Sequence, residues 1–240
     1  MKFSFLFLLS FCAMAGTGLQ AQIKTVRGEG PAVTQDRNGG NFDEIHTHGS
    51  FNVEITDAGT NSVKVEAQQN LQEYIEVENK GGSLHIRTRK GINMKGDKEI
   101  VIHISAPALK GVYLSGSGNV NTTNHLEGSD NFEIKSSGSG NVTLDIETSS
   151  LKSSIAGSGN ITLKGKTNDL DGKIAGSGNI RAREMQSANT SIRISGSGSA
   201  EVVATQKLDT KIAGSGDVKY WGDAAVDSKV QGSGSVSKQK

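Results

Sequence analysis

The chain has 240 residues, of which 34% are hydrophobic and only 5% aromatic, and its formal charge is +1. That balance offers no basic excess for nucleic acid or for an anionic membrane surface. Gly is abundant at 31 residues while Pro is only 2; without a three-residue period this excludes collagen, and the scarcity of Pro argues against a Pro-rich linker.

The chain opens with MKFSFLFLLSFCAMAGTGLQAQ, in which Lys2 precedes an apolar run from Phe3 to Ala15. The run is too short to span a bilayer and is followed by small residues with a candidate cut after Ala21. Residues 1–21 are therefore predicted to be a secretory signal peptide. Cys12, the only Cys, sits inside this run after the bulky Phe11, which argues against lipidation there. Removing residues 1–21 takes away Lys2 and no acid, which leaves 25 basic and 25 acidic side chains and no disulfide. The predicted location is exported: periplasm, outer-membrane surface or secreted. No later segment has the roughly 20 apolar residues of a membrane-spanning helix. Residues 22–40 are expected to be loosely ordered.

Residues 41–108 are expected to form a first β region. FDEIHTHGSFNVEI, Phe42 to Ile55, resembles a degenerate copy of the unit described next, with Phe51 in place of a Gly. The alternating runs SVKVEA, YIEVEN, SLHIRT and EIVIHIS follow, with turn signals at DAGTN and KGG. They read as strands joined by hairpins up to Pro107.

Residues 109–240 carry a repeat. Gly-Ser-Gly begins at Gly116, Gly138, Gly157, Gly176, Gly196, Gly214 and Gly232, at spacings of 22, 19, 19, 20, 18 and 18. The flanks repeat too: LKSSIAGSGNITL, LDGKIAGSGNIRA and LDTKIAGSGDVKY align without gaps. Within a unit the period is two, since Leu170, Ile174, Gly176, Gly178, Ile180 and Ala182 share one parity. That is a strand signal. One unit has too few apolar side chains for a core, whereas units stacked about 4.8 Å apart share one, so a parallel β-solenoid is predicted. An antiparallel meander with Gly-Ser-Gly-Asn hairpins is the alternative. In the solenoid reading the corners are Gly116, Gly118, Gly138, Gly140, Gly157, Gly159, Gly176, Gly178, Gly196, Gly198, Gly214, Gly216, Gly232 and Gly234. Asn119, Asn141, Asn160 and Asn179 follow four successive corners and could stack as a hydrogen-bonded ladder. The first β region and the repeats are expected to share one core.

An export signal, hairpin-type strands, ISAPALKGVYLSGSGNV from Ile104 to Val120, and then repeated IAGSGNI form a specific combination. On these residues the chain resembles the putative auto-transporter adhesins with a head GIN domain, common in Bacteroidetes, over about residues 40–240. The resemblance implies an all-β fold, a right-handed parallel β-helix or solenoid, and an envelope or secreted location. It implies no catalytic residues.

The sequence offers few groups with which to do chemistry. A phosphate loop would need a helix after the glycines, and here a strand pattern follows. Calcium-binding nonapeptide repeats have another period and an Asp in each copy, while only Asp217 stands at a comparable place here. His46 and His48 share a strand face but lack an evident third metal ligand, and His85, His103 and His125 are scattered. Asp145, Glu147, Asp169, Asp171, Arg181, Arg183 and Glu184 would have to converge to serve a glycan-cleaving β-helix enzyme. Tyr220-Trp221 reads as a cover for the core more readily than as a sugar platform. No catalytic, cofactor or metal residues are assigned. The expected function is a non-enzymatic, adhesin-like binding or structural role, with a polysaccharide-acting enzyme and a self-assembling envelope subunit as alternatives. The partners left open are a surface glycan, a protein and further copies of this chain.

Overall fold

The computed structural model describes residues 23–240. The signal peptide expected over residues 1–21, with Cys12, lies outside them. In chain order the strands are β1 Lys24–Arg27, β2 Ala32–Arg37, β3 Glu44–Gly49, β4 Asn52–Asp57, β5 Ser62–Gln68, β6 Ile75–Lys80, β7 Ser83–Thr88, β8 Ile92–Lys95, β9 Val101–Ala106 and β10 Leu109–Gly116. They continue as β11 Asn119–Thr122, β12 Leu126–Gly138, β13 Asn141–Gly157, β14 Asn160–Gly176, β15 Asn179–Gly196, β16 Ser199–Val203, β17 Lys207–Gly214, β18 Asp217–Trp221, β19 Ala225–Gly232 and β20 Ser235–Lys238. One 3-10 helix, Gln69–Tyr74, lies between β5 and β6.

From β10 onward every pairing is parallel, and each unit lies on the next as one coil of a β-solenoid. This removes the antiparallel meander. Gly138, Gly157, Gly176 and Gly196 stand in one register, as do Asn141, Asn160 and Asn179. The longer spacing from Gly176 to Gly196 comes from an irregularity beside Thr162 and Lys164, where β15 carries one extra residue.

The two glycines of a corner act differently. Gly176 has φ +126°, a conformation disfavoured for side-chain-bearing residues. Gly178 has no such angle, but a Cβ there would strike the Gly159 carbonyl and come within 2.7 Å of Ile155 Cγ2. The second glycine thus makes room for the backbone and the inward Ile of the preceding coil. The corner is also hydrogen-bonded between coils, since Ser177 and Gly178 both donate N–H to the Gly157 carbonyl at 3.0 and 3.1 Å.

Parity decides burial. Leu170, Ile174, Ile180 and Ala182 are all within 2% of full burial, and one continuous apolar core runs from Phe42 to Val218. Its members stand on both sides of the exposed Pro107, with Ala106 and Leu109 both buried.

The N-terminal part departs from expectation in two ways. Residues 22–40, expected to be loosely ordered, carry β1 and β2. β2 pairs antiparallel with β5 from Ala32↔Gln68 to Arg37↔Val63, and β1 pairs parallel with β8. Backbone pairing supplies the order that the polar composition of this segment did not suggest. The hairpin reading, made for the runs SVKVEA to EIVIHIS, holds for β6–β7, turning at Gly81-Gly82, but β5 pairs antiparallel with β9 and β2 and not with β6. β3 and β4, the degenerate unit Phe42–Ile55, form a coil of the solenoid. They stack parallel on β10 and β11 on one side and on β7 and β9 on the other. A coil early in the chain is thereby enclosed between two later segments. No Gly-Ser-Gly corner joins β7 to β9 beneath it, which explains how Phe51 can stand where the later coils need glycine.

Beyond β9 the sheet continues antiparallel through β5 to β2. The 3-10 helix plugs this end of the core with Leu71 and Gln72. Gln72 Nε2 donates to the carbonyls of Val33 (2.8 Å) and Val65 (2.9 Å), and its Oε1 accepts from Arg37 (2.7 Å). At the opposite end the last coil is bare: every residue of β19 is exposed, including Val226 at 42% and Val230 at 40%.

Candidate binding face

Each strand that enters a corner turns three outward positions to solvent, and parallel register converts them into three columns along the solenoid. The middle column is Lys135, Ser154, Lys173, Arg193, Lys211 and Lys229. Five of these six are cations, spread over about 24 Å at the usual strand spacing. The column nearer the corner is small: Ser137, Ala156, Ala175, Ser195 and Ala213, ending at Gln231. The column on the other side is mixed but mostly acidic, with Glu133, Lys152, Asp171, Ser191, Asp209 and Asp227.

The carboxylates hold part of the cationic column upright. Glu133 accepts from Lys135 at 2.8 Å, and Asp171 lies 3.0 Å from Arg193 and 3.9 Å from Lys173. These pairs are solvent-accessible and individually weak, so an incoming anion can exchange with them. Among the described residues Lys211 and Lys229 form no ion pair. Between the cationic stems and the small column runs an open groove of about 510 Å³, from Lys135 to Ser195. A second groove of about 270 Å³ shares Arg193 and Ser195 and continues to Gln231. The result is one trough with an alanine-rich floor and a cationic wall.

Toward the capped end the same column becomes aromatic. Tyr113 stacks on His46 with centroids 4.2 Å apart, and His46 stacks on His85 at 4.6 Å. Lys135 Nζ lies 5.4 Å from the Tyr113 ring. Burial, then the hydrogen bond it donates to Glu133 at 3.0 Å, pushes the Tyr113 hydroxyl well above its ordinary range. Burial pushes Glu133 up, but the hydrogen bonds from Lys135 and Tyr113 outweigh it and hold the carboxyl low. Burial first, and then the charge of His46, lowers both His48 and His85.

The residues considered for chemistry are largely dispersed. His46 reaches Glu44 at 3.2 Å as part of its stack. Among the described residues no group of three His, Cys, Asp or Glu side chains could hold a metal ion. Asp169 pairs with Asn189 (2.9 Å), Asp145 with His125 (2.7 Å) and Lys164 with Glu184 (3.2 Å). His103 lies between Glu54 at 3.0 Å and Glu66 at 3.3 Å on the open face of β4, β9 and β5, outside the trough. Arg183 is the extra residue of the β15 irregularity and stacks on Trp221 at 4.8 Å, while Tyr220 packs against the core. Along the second face Asn119 donates to Asn52 (2.9 Å), Asn141 to Asn119 (3.0 Å), Asn160 to Asn141 (2.8 Å) and Asn179 to Asn160 (2.9 Å). The Ser199 N–H closes the series on Asn179 at 3.1 Å.

Sequence reasoning overlooked the cationic column, although its signal was present. Lys135, Lys173, Arg193, Lys211 and Lys229 each stand three residues before the first Gly of a corner.

Stacked coils, a plug at one end and a charge-patterned trough along the side define a capped β-solenoid that presents a lengthwise face. The chain belongs to the family described as putative auto-transporter adhesin, head GIN domain, whose model matches residues 41–224. Its structure is similar to that of a putative adhesin from Bacteroides fragilis NCTC 9343, with TM-score 0.85 and 25% identity, covering 89% of this chain and 100% of that one. It is also similar to a putative lipid binding protein from Parabacteroides distasonis ATCC 8503, with TM-score 0.76 and 29% identity, covering 90% of this chain and 100% of that one. A putative adhesin from Parabacteroides merdae ATCC 43184 matches with TM-score 0.70 and 26% identity, over 90% of this chain and 99% of that one. No curated protein matches. No helix among the described residues is long and apolar enough to cross a membrane.

Proposed function

We propose that this chain is an exported, non-enzymatic, adhesin-like protein of the cell envelope whose lengthwise trough binds a linear anionic glycan. The observation that carries the reading is the in-register column Lys135, Lys173, Arg193, Lys211 and Lys229 beside an alanine-rich floor. An extended acidic polysaccharide has the matching features: acids repeating along its length and apolar ring faces that can lie on Ala156, Ala175 and Ala213. The adhesin family supports a binding role, and the leading segment MKFSFLFLLSFCAMA supports export.

A second reading follows from the same floor. The similarity to a protein described as lipid-binding, together with the apolar lining at Ala156 and Ala175, favours an anionic lipid whose acyl chain lies along the trough.

Titration calorimetry against polygalacturonate, a neutral dextran and phosphatidylglycerol vesicles separates these readings. The glycan reading expects binding to polygalacturonate alone, weakening as salt rises and lost in a Lys173→Glu/Arg193→Glu/Lys211→Glu variant. Binding to the vesicles alone selects the lipid. Binding that ignores both salt and the triple substitution rejects the trough as the site.

A further inference from the structure

The two ends of the solenoid are unlike. One is closed by antiparallel strands and the 3-10 helix, and the other presents β19 with Val226 and Val230 exposed. Head-to-tail stacking would set β19 against β6, the outermost strand of its own column at the plugged end, which runs antiparallel to the coils. A two-fold arrangement instead brings bare edge to bare edge.

The backbone restricts how two such edges can meet. Ala225 donates its N–H to Gln206 on the β17 side at 2.9 Å, and Ser233 donates to Gly214 on the same side at 3.0 Å. Hydrogen-bonding direction alternates along a strand, so Val226, Ser228 and Val230 aim their N–H and C=O groups at the open edge. Two copies related by a two-fold axis pair antiparallel about a single central residue. Centred on Asp227, the pairing sets Asp227 against its own copy, and centred on Lys229 it sets Lys229 against its own copy. Centred on Ser228, it places Asp227 opposite Lys229 and Val226 opposite Val230 in both halves. Register with Leu208, Thr210 and Ile212, all buried, puts Val226, Ser228 and Val230 on the inward face and Asp227 and Lys229 on the outward face.

We propose that the β19 edge is a homodimer interface, in which two copies join tail to tail by antiparallel β19–β19 pairing centred on Ser228. The contact continues each sheet into the other, covers the exposed valines and leaves both plugged ends outward. It does not depend on what the lengthwise trough binds.

Sedimentation equilibrium of the chain from about 1 µM to about 1 mM, the range in which small interfaces associate, is expected to show a monomer–dimer equilibrium. Asp227→Lys alone and Lys229→Asp alone each create two like-charge pairs and weaken the dimer about tenfold. The two substitutions together restore opposite charges and recover the dimer. Val226→Lys abolishes it, with the melting temperature unchanged at about 1 µM where the parent is monomeric, because that side chain is already exposed in one copy. A monomer throughout the range, a filament, or a dimer indifferent to the single charge reversals would overturn the proposal.

Discussion

Gly176 stacks in register on Gly157 one coil away, and a Cβ on Gly176 would fall on the Gly157 carbonyl oxygen. With φ at +126° the position is also disfavoured for any side chain. Gly176→Val is expected to cost about 3 kcal/mol or more, from backbone strain and overpacking together. The neighbouring Ser177 faces solvent, so Ser177→Val should stay within about 0.5 kcal/mol. Urea unfolding of both variants checks this, and equal tolerance would refute the corner geometry.

Asn160 stands mid-ladder, donating to Asn141 and accepting from Asn179. Asn160→Ala removes both bonds and leaves two partial orphans, which should cost about 1–2 kcal/mol. Ser158→Ala, at an exposed corner position, serves as the control and should be nearly silent. A loss at Asn160 no larger than at Ser158 would mean that the ladder contributes nothing to stability.

Ile174 is 2% exposed, and its Cγ2 occupies the space that a Cβ on Gly198 would need. Ile174→Ala should cost about 2–5 kcal/mol through lost burial and a cavity. Ile174→Asp should prevent stable folding, since it buries an unpaired charge. Lys173→Ala, one residue away on the solvent side, should change stability by about 0.5 kcal/mol at most. Denaturant midpoints for the three variants rank them.

Acidification should weaken the capped end. Burial and the charge of His46 lower His48 and His85 in the folded chain, with Lys80 and Arg87 adding to the effect on His85. The unfolded state then binds more protons in the window below about pH 6.5, so this stability is present above that pH and declines as pH falls through it. A His48→Gln/His85→Gln variant should show a smaller drop in melting temperature between about pH 7.5 and pH 5.5 than the parent chain. An identical drop in both would show that these two rings do not couple to folding.

Much of the repeat is legible in the sequence. The corners, the inward parity of Leu170, Ile174 and Ile180, and the adjacency of Asn141, Asn160 and Asn179 all appear as recurring letters. The cationic column was equally periodic, but a Lys on an exposed strand face looks alike whether it serves binding or only solubility. Its meaning depends on neighbours in other coils.

What the sequence determined by itself was local and repetitive. Parallel stacking in register gives each position of a coil the same surroundings as its neighbours above and below, so one physical constraint is written many times over. What only the tertiary structure decided was long-range. Alternating strands read alike in parallel and antiparallel sheets, so nothing in residues 44–57 announced that they lie between 83–106 and 109–122. The same holds for the ends. Plugging by residues 69–74 and the bareness of β19 follow from strand order, and strand order is set by contacts between residues far apart in the chain.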